Sequence, residues 1–524
     1  MGDGGAVAGA RTTGTPPQAT FGYDRTVLAV ARTVTSAARL LEVLPLIEQH
    51  HRVQAHYTIV PGSKFADNAE SLLRQAQAKV VPWKQAIRTR YSLAVSASAN
   101  GPLHLLRAPL LLIPHGAGHN KVLASGALSG LAREQLLHKG KVTPSAIALT
   151  HEDQLDTLAR TCPEALDRAV VVGDPCHDRM RESVWARWRY RESLGAGGRQ
   201  IVLVSSTWGK KSLLGRPLTE LLDRLDRELP VDEYLVIMAL HPNIWDFHSG
   251  RQLGKWAPTA ALLPPHEAWQ AAVIAADVVI GDHGSLGLYA TAMGVPVLLG
   301  AFADEEIAAG TPMAELGELA PRLDGRPLRA QLADLVAWEG IARRTFDQSG
   351  VAASRLRDLM CRLLDVEPTG PAELPPLAPP VIDGARPSSY FVASRCSDDN
   401  VVELERFLND PVSDLPQRHI AATPDAGSRS LQGAGVLLLP DGADAERWLA
   451  ARPVCQTAGV ITDPRSCVVW LRDGRRLRLT ASGGPVELVP SAVHAWLANG
   501  RVAEELKRGL VVRAGNAEIA VEPW

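Results

Sequence analysis

The stretch Ala275–Gly300, A-A-D-V-V-I-G-D-H-G-S-L-G-L-Y-A-T-A-M-G-V-P-V-L-L-G, restricts what this chain can fold into more than any other part of it. It reads as an apolar strand, a tight loop at Asp282-His283-Gly284-Ser285, a helix of small residues and a second apolar strand. Short, wholly apolar strands joined by a helix suit a parallel sheet covered on both faces. A helix entered from a Gly-Ser loop aims free N–H groups and the positive end of its dipole above the sheet. Such a loop is a seat for an anion, phosphate above all.

The same alternation runs through most of the chain. From Thr26 it goes T-V-L-A-V-A, S-A-A-R-L-L-E-V-L-P-L-I-E-Q-H, R-V-Q-A-H-Y-T-I-V, with further apolar runs at Ser92–Ser96, Leu110–Ile113, Ala146–Leu149 and Ala169–Val172. A second series starts at Ile201 and continues through Tyr234–Leu240, Ala260–Leu263, Val278–Ile280 and Val297–Leu299. The expected fold class is α/β, with two doubly wound Rossmann-like halves facing each other across a cleft and a small C-terminal α+β domain. The expected divisions are a disordered leader (1–24), an N-terminal half (25–180), a second half (181–366), a Pro-rich linker (367–387, with P-T-G-P-A-E-L-P-P-L-A-P-P) and an accessory domain (388–524).

At 524 residues the chain is too long for a single core. Its net charge of -2 gives no basic field for nucleic acid. Cys162, Cys176, Cys361, Cys396, Cys455 and Cys467 form no C-x-x-C pair, which points to reduced thiols in the cytoplasm and to neither a disulfide framework nor a metal site. No apolar run reaches the ~18 residues of a membrane span, and a peripheral membrane contact is compatible with that. The leader has no basic region followed by an apolar one, as a signal peptide would.

Four places carry candidate chemistry. His115, in P-L-L-L-I-P-H-G-A-G-H-N-K, stands just past the end of an apolar strand, where open α/β sheets place their ligands. A histidine there can serve as a general base, or it can simply cap a turn. Gly116 lets backbone approach a ligand, and Lys121 adds charge. His241, before Pro242, is held extended over a strand end and suits a phosphate contact, with a capped core histidine as the plain alternative. Gly284 and Ser285 open the helix of the anion loop. Ser285 can cap that helix and donate to a phosphate, and Asp282 can orient a histidine such as His283, bind a ribose or close an Asx turn. Ser206 and Thr207 follow the first strand of the second half and could line a pyrophosphate, while Asp174 shapes the connection between halves.

Taken together, I-P-H-G, G-D-P-C-H-D, A-L-H-P and A-D-V-V-I-G-D-H-G-S resemble the two-domain GT-B transferases, and most closely the CDP-glycerol glycerophosphotransferase family of teichoic-acid polymerases. Sugar-nucleotide 2-epimerases share much of the layout. The resemblance spans about residues 26 to 365. It implies that His115 activates an acceptor hydroxyl and that His241 and Ser285 contact donor phosphates. The chain departs from the family where Pro114 replaces a usual Trp, and where Asp282-His283-Gly284-Ser285 replaces Asp-Tyr-Ser-Ser. The expectation is a metal-independent transferase moving a glycerophosphate or glycosyl group from a CDP- or UDP-linked donor to an acceptor hydroxyl, with no cofactor besides that donor. The alternatives are a 2-epimerase and a non-catalytic nucleotide-binding or assembly protein. The expected location is cytoplasmic, with or without membrane contact.

Overall fold

A computed structural model describes residues 20, 22–48, 53–64, 66–215, 218–265, 268–347, 349–382 and 387–524. Most of the leader expected at 1–24, and residues 383–386 of the Pro-rich linker, lie outside the described residues.

The apolar runs of the first half become β1 (Arg25–Ala31), β2 (Val53–Ile59), β3 (Leu93–Ser96), β4 (Leu110–Leu112), β5 (Ala146–Leu149) and β6 (Ala169–Val171), ordered β2-β1-β3-β4-β5-β6 in one parallel sheet. Val27, Ala29 and Ala31 pack in the core on one face, and Leu28 and Val30 in the core on the other. Both sets are apolar because helices cover both faces, and for that reason these strands read as unbroken apolar runs.

The second half repeats the plan with β7 (Gln200–Ser206), β8 (Tyr234–Leu240), β9 (Ala261–Leu262), β10 (Val278–Gly281) and β11 (Val297–Leu299), ordered β9-β8-β7-β10-β11 and all parallel. The order reverses direction between β7 and β10. A crevice opens at such a switch point beyond the carboxyl ends of the strands. The helix Ala352–Leu364 then returns to the first half, where Leu356, Leu359, Met360 and Leu364 join the core beneath β1 and β3.

The C-terminal part differs from the small α+β domain expected of it. It is a closed barrel of nine strands: β12 (Ser389–Cys396), β13 (Val401–Phe407), β14 (Gln417–Ala422), β15 (Ala434–Pro440), β16 (Thr457–Asp463), β17 (Ser466–Leu471), β18 (Arg476–Ser482), β19 (Leu510–Ala514) and β20 (Ala517–Pro523). Closure comes from pairings distant in sequence, with β13 beside β19 in parallel and β12 beside β14 antiparallel. The helix Val489–Ala498, with Trp496 fully buried, packs into the same core as the inward residues of the strands. The barrel docks at the amino end of the second sheet. There Arg406 grips Asp232 at 2.6 Å, and Arg329 ties Glu233 (2.6 Å) to Glu405 (2.7 Å).

Candidate functional site

The expected site residues meet where the carboxyl ends of the two sheets face one another. On the first half, β4 delivers the His115-Gly116 turn. On the second, β10 ends at Asp282 and leads to Ser285 and the short helix Leu286–Ala292. A β-carbon built on Gly116 would stand 3.1 Å from Ser285 Oγ, so the two loops touch. Glycine fits that approach because a side chain would need the space of the serine hydroxyl. Backbone hydrogen bonds join the halves close by: Val122 N–H donates to Glu306 O at 3.0 Å, and Ala308 N–H to Asn120 O at 2.8 Å. Lys121 pairs with Ile307 in an isolated antiparallel bridge between these two contacts.

Two histidines carry opposite ring chemistry. His115 Nδ1 lies 3.1 Å from the carbonyl oxygen of Ala97. A carbonyl only accepts, so Nδ1 bears the proton and Nε2 keeps its lone pair. Burial holds this imidazole below the ordinary histidine pKa, and the charges of Arg39 and Lys121 act in the same direction. The residue is nevertheless exposed to solvent.

At His241 the roles are reversed. Its Nδ1 accepts the N–H of Asn243 at 3.1 Å, capping the helix Pro242–Trp256. The neutral ring must therefore carry its proton on Nε2, as a donor. Burial drives its pKa down to about 3, and Lys121 and His115 add to the shift across the cleft. Lys121 is lowered by burial and partly restored by Glu306 and Asp282.

Asp282 is committed to structure. Its oxygens accept the N–H groups of Thr207 (2.9 Å), Leu213 (2.9 Å) and Gly284 (3.0 Å). This is the Asx-turn alternative, extended into a clamp between the ends of β7 and β10, and it leaves no free oxygen edge for a ribose. Ser206 is likewise turned inward, donating to Thr207 O at 2.8 Å and accepting from Leu214 N–H at 3.2 Å. Thr207 is buried beside Gly284, and its backbone N–H serves Asp282. Ser285 does not cap its helix by a side-chain bond, and its hydroxyl faces the cleft beside Gly116. His283 is buried; its Nε2 lies 3.5 Å from Glu306, and its Nδ1 has no partner among the described residues.

Sequence reading missed a buried network that links the halves behind the site. Arg39 donates to Asp174 at 2.9 Å and to the Tyr289 hydroxyl at 2.9 Å, and Tyr289 donates to Asp174 at 2.6 Å. Arg39 also pairs with Glu42 at 3.2 Å. Asp174 thus bonds to partners on the first helix of one half and the anion-loop helix of the other. Glu306, the last residue of the short 3-10 turn Asp304–Glu306 that follows β11, was missed as well.

No family model matches the chain, and no curated protein does. Solved structures similar to it include a variant of the wall teichoic acid polymerase TagF, at 12% identity over 65% of this chain and 89% of that one, with a TM-score of 0.44. The Anabaena protein Alr3699/HepE in complex with UDP matches at 13% identity over 65% of this chain and 100% of its own, with a TM-score of 0.38. The S. aureus MnaA–UDP structure matches at 11% identity over 67% and 100%, with a TM-score of 0.39. At these identities the likeness is one of fold and assigns no residue a role.

A groove of about 890 Å³ also exists away from this cleft, between β6 and the returning helix, lined by Val170, Arg355, Asp358 and Arg362. It lacks the convergent histidines, and the chemistry is concentrated at the switch point instead.

Proposed function

We propose that this protein is a transferase that passes a glycerophosphate or glycosyl group from a CDP- or UDP-linked donor to an acceptor hydroxyl. The observation that carries the reading is the opposite tautomers of His115 and His241 on the two walls of one cleft. His115 Nε2, a lone pair on a neutral ring, takes the proton of the acceptor hydroxyl as its oxygen bonds to the transferred group. The bond from that group to the nucleotide breaks, and the leaving phosphate gains charge. The His241 Nε2–H, the Ser285 hydroxyl and Lys121 are placed to stabilise that charge. Asp282 and Ser206 hold the loops that present these groups, and His283 and Glu306 stand behind them. The sugar-nucleotide 2-epimerase alternative needs acid/base carboxylates beside the sugar, and the best available in the first half, Glu152 and Asp153, are both exposed at the start of the helix that follows β5.

The test is a thermal-shift screen of the whole protein against CDP, UDP, GDP and ADP and their glycerol or sugar conjugates, since a ligand of the native state raises its stability. One nucleotide class should shift the transition, and His241→Ala and Ser285→Ala should remove the shift. His115→Ala should keep the shift and abolish transfer. A shift surviving in both donor-wall variants, or normal turnover in His115→Ala, would overturn the assignment.

A further inference from the structure

The barrel holds a pair of histidines that the cleft chemistry does not use. His419 is on β14, and His494 is on the helix Val489–Ala498 that shares the barrel core. Their ring centres lie 4.6 Å apart, with the planes tilted by 56°. Beside them the register of β14 on β15 slips: Ile420 faces Ala434 and Ala421 faces Val436, so Gly435 is an extra residue, a β-bulge. A β-carbon built on Gly435 would stand 3.2 Å from His494 Nε2 and 3.4 Å from His419 Cβ. Glycine at the bulge leaves that nitrogen room which any side chain would take.

Both rings keep a nitrogen free. His419 Nε2 is buried with no hydrogen-bond partner among the described residues, an arrangement that costs stability until something pairs with it. His494 Nδ1 lies 3.3 Å from the Thr457 hydroxyl. A hydroxyl that accepts from Nδ1–H leaves the lone pair on Nε2, which is how an outer oxygen orients a metal-binding imidazole. Burial lowers both pKa values, that of His419 to about 3, so the rings are neutral. Neutral imidazole is the commonest metal ligand among side chains.

The spacing fits a shared ion. Two imidazoles on one tetrahedral ion, with metal–nitrogen bonds of about 2.0–2.1 Å, have unstacked rings with centres roughly 5 Å apart. The other close pair, His104 and His138, is stacked at 3.6 Å and 3°, so its nitrogens lie side by side and do not converge. Among the described residues no third imidazole, thiol or carboxylate joins His419 and His494. The remaining positions of an ion fall to water, with His494 only half-buried.

We propose that His419 and His494 bind a divalent transition-metal ion of the zinc and copper class, which staples the helix Val489–Ala498 to β14. Imidazole nitrogen selects such ions over magnesium and calcium. The site lies in the barrel and stands independently of the transferase reading.

The test is titration of the untagged full chain with Zn²⁺, read by calorimetry and by thermal unfolding. Zn²⁺ should bind and raise the thermal midpoint, and Mg²⁺ should do neither. His419→Gln and His494→Gln should each weaken Zn²⁺ binding about tenfold or more, and Thr457→Val roughly tenfold. His104→Asn/His138→Asn should leave it unchanged. With Cu²⁺ in place of Zn²⁺, the electron paramagnetic resonance spectrum of the wild type should show two nitrogen ligands, a readout that needs no variant to fold. Failure of Zn²⁺ to bind, an equal response to Mg²⁺, or wild-type binding in both barrel variants would overturn the proposal. So would loss of binding in His104→Asn/His138→Asn, or a Cu²⁺ spectrum without two nitrogens.

Discussion

At His241 and His119 burial works against the imidazolium, with folded pKa values of about 3 and about 4. In the unfolded chain both rings titrate near 6.5. The unfolded state therefore binds protons first as the solution is acidified. The stabilisation is fully present above pH 6.5 and is lost progressively as pH falls towards those folded values. We expect the thermal midpoint to drop steeply between pH 6.5 and 4, and His119→Asn/His241→Asn to flatten that slope. Circular dichroism melts across this range check it, and an unchanged slope would contradict the buried, neutral rings. Asparagine at 241 keeps an acceptor for the Asn243 N–H, so the cap survives the test. The strand ends that placed His115 and His241 were legible because each is an apolar run halted by a proline or glycine. Their tautomers were not, since Ala97 and Asn243 become partners only through the folded backbone.

The loop that follows β10 shows how one carboxylate can organise several segments. Asp282 accepts three backbone N–H groups from the β7 loop, the short turn at Leu213 and its own loop. Asn in its place has one acceptor oxygen and would leave an N–H unsatisfied in a buried position. Asp282→Asn should therefore destabilise the protein by about 2 kcal/mol in urea unfolding. A change within error would return Asp282 to the pool of ligand contacts. Among elements, the parallel strands were readable because both their faces are apolar. The barrel strands were not: Val401–Phe407, V-V-E-L-E-R-F, alternates like any half-exposed strand, and nothing local says that it pairs with Leu510–Ala514. The network of Arg39, Asp174 and Tyr289 was hidden for the same reason, its members lying 135 and 115 residues apart.

On the scale of the whole molecule, the barrel lies against the amino end of the second sheet, and the reactive groups gather at its carboxyl end. Arg406 is one of its fastenings, and its removal leaves the Asp232 side chain buried without its partner. Arg406→Met should lower stability by roughly 3 kcal/mol or more. It should leave the stabilisation produced by a bound nucleotide unchanged, because Arg406 and the cleft lie at opposite ends of the sheet. Calorimetry with and without ligand separates the two effects, and a ligand shift that disappears would show the barrel acting on the cleft.

The chain crosses between its halves more than once. It leaves the first half at Asp174, and it comes back where Asp178 accepts the N–H groups of Gly350 and Ala352 and fixes the start of the returning helix. A single crossing would be a ball joint, free to swivel. An outward and a returning strap on the same side tie the halves along one edge, as a door is hung. The rung between Lys121 and Ile307 fastens them again beside the site.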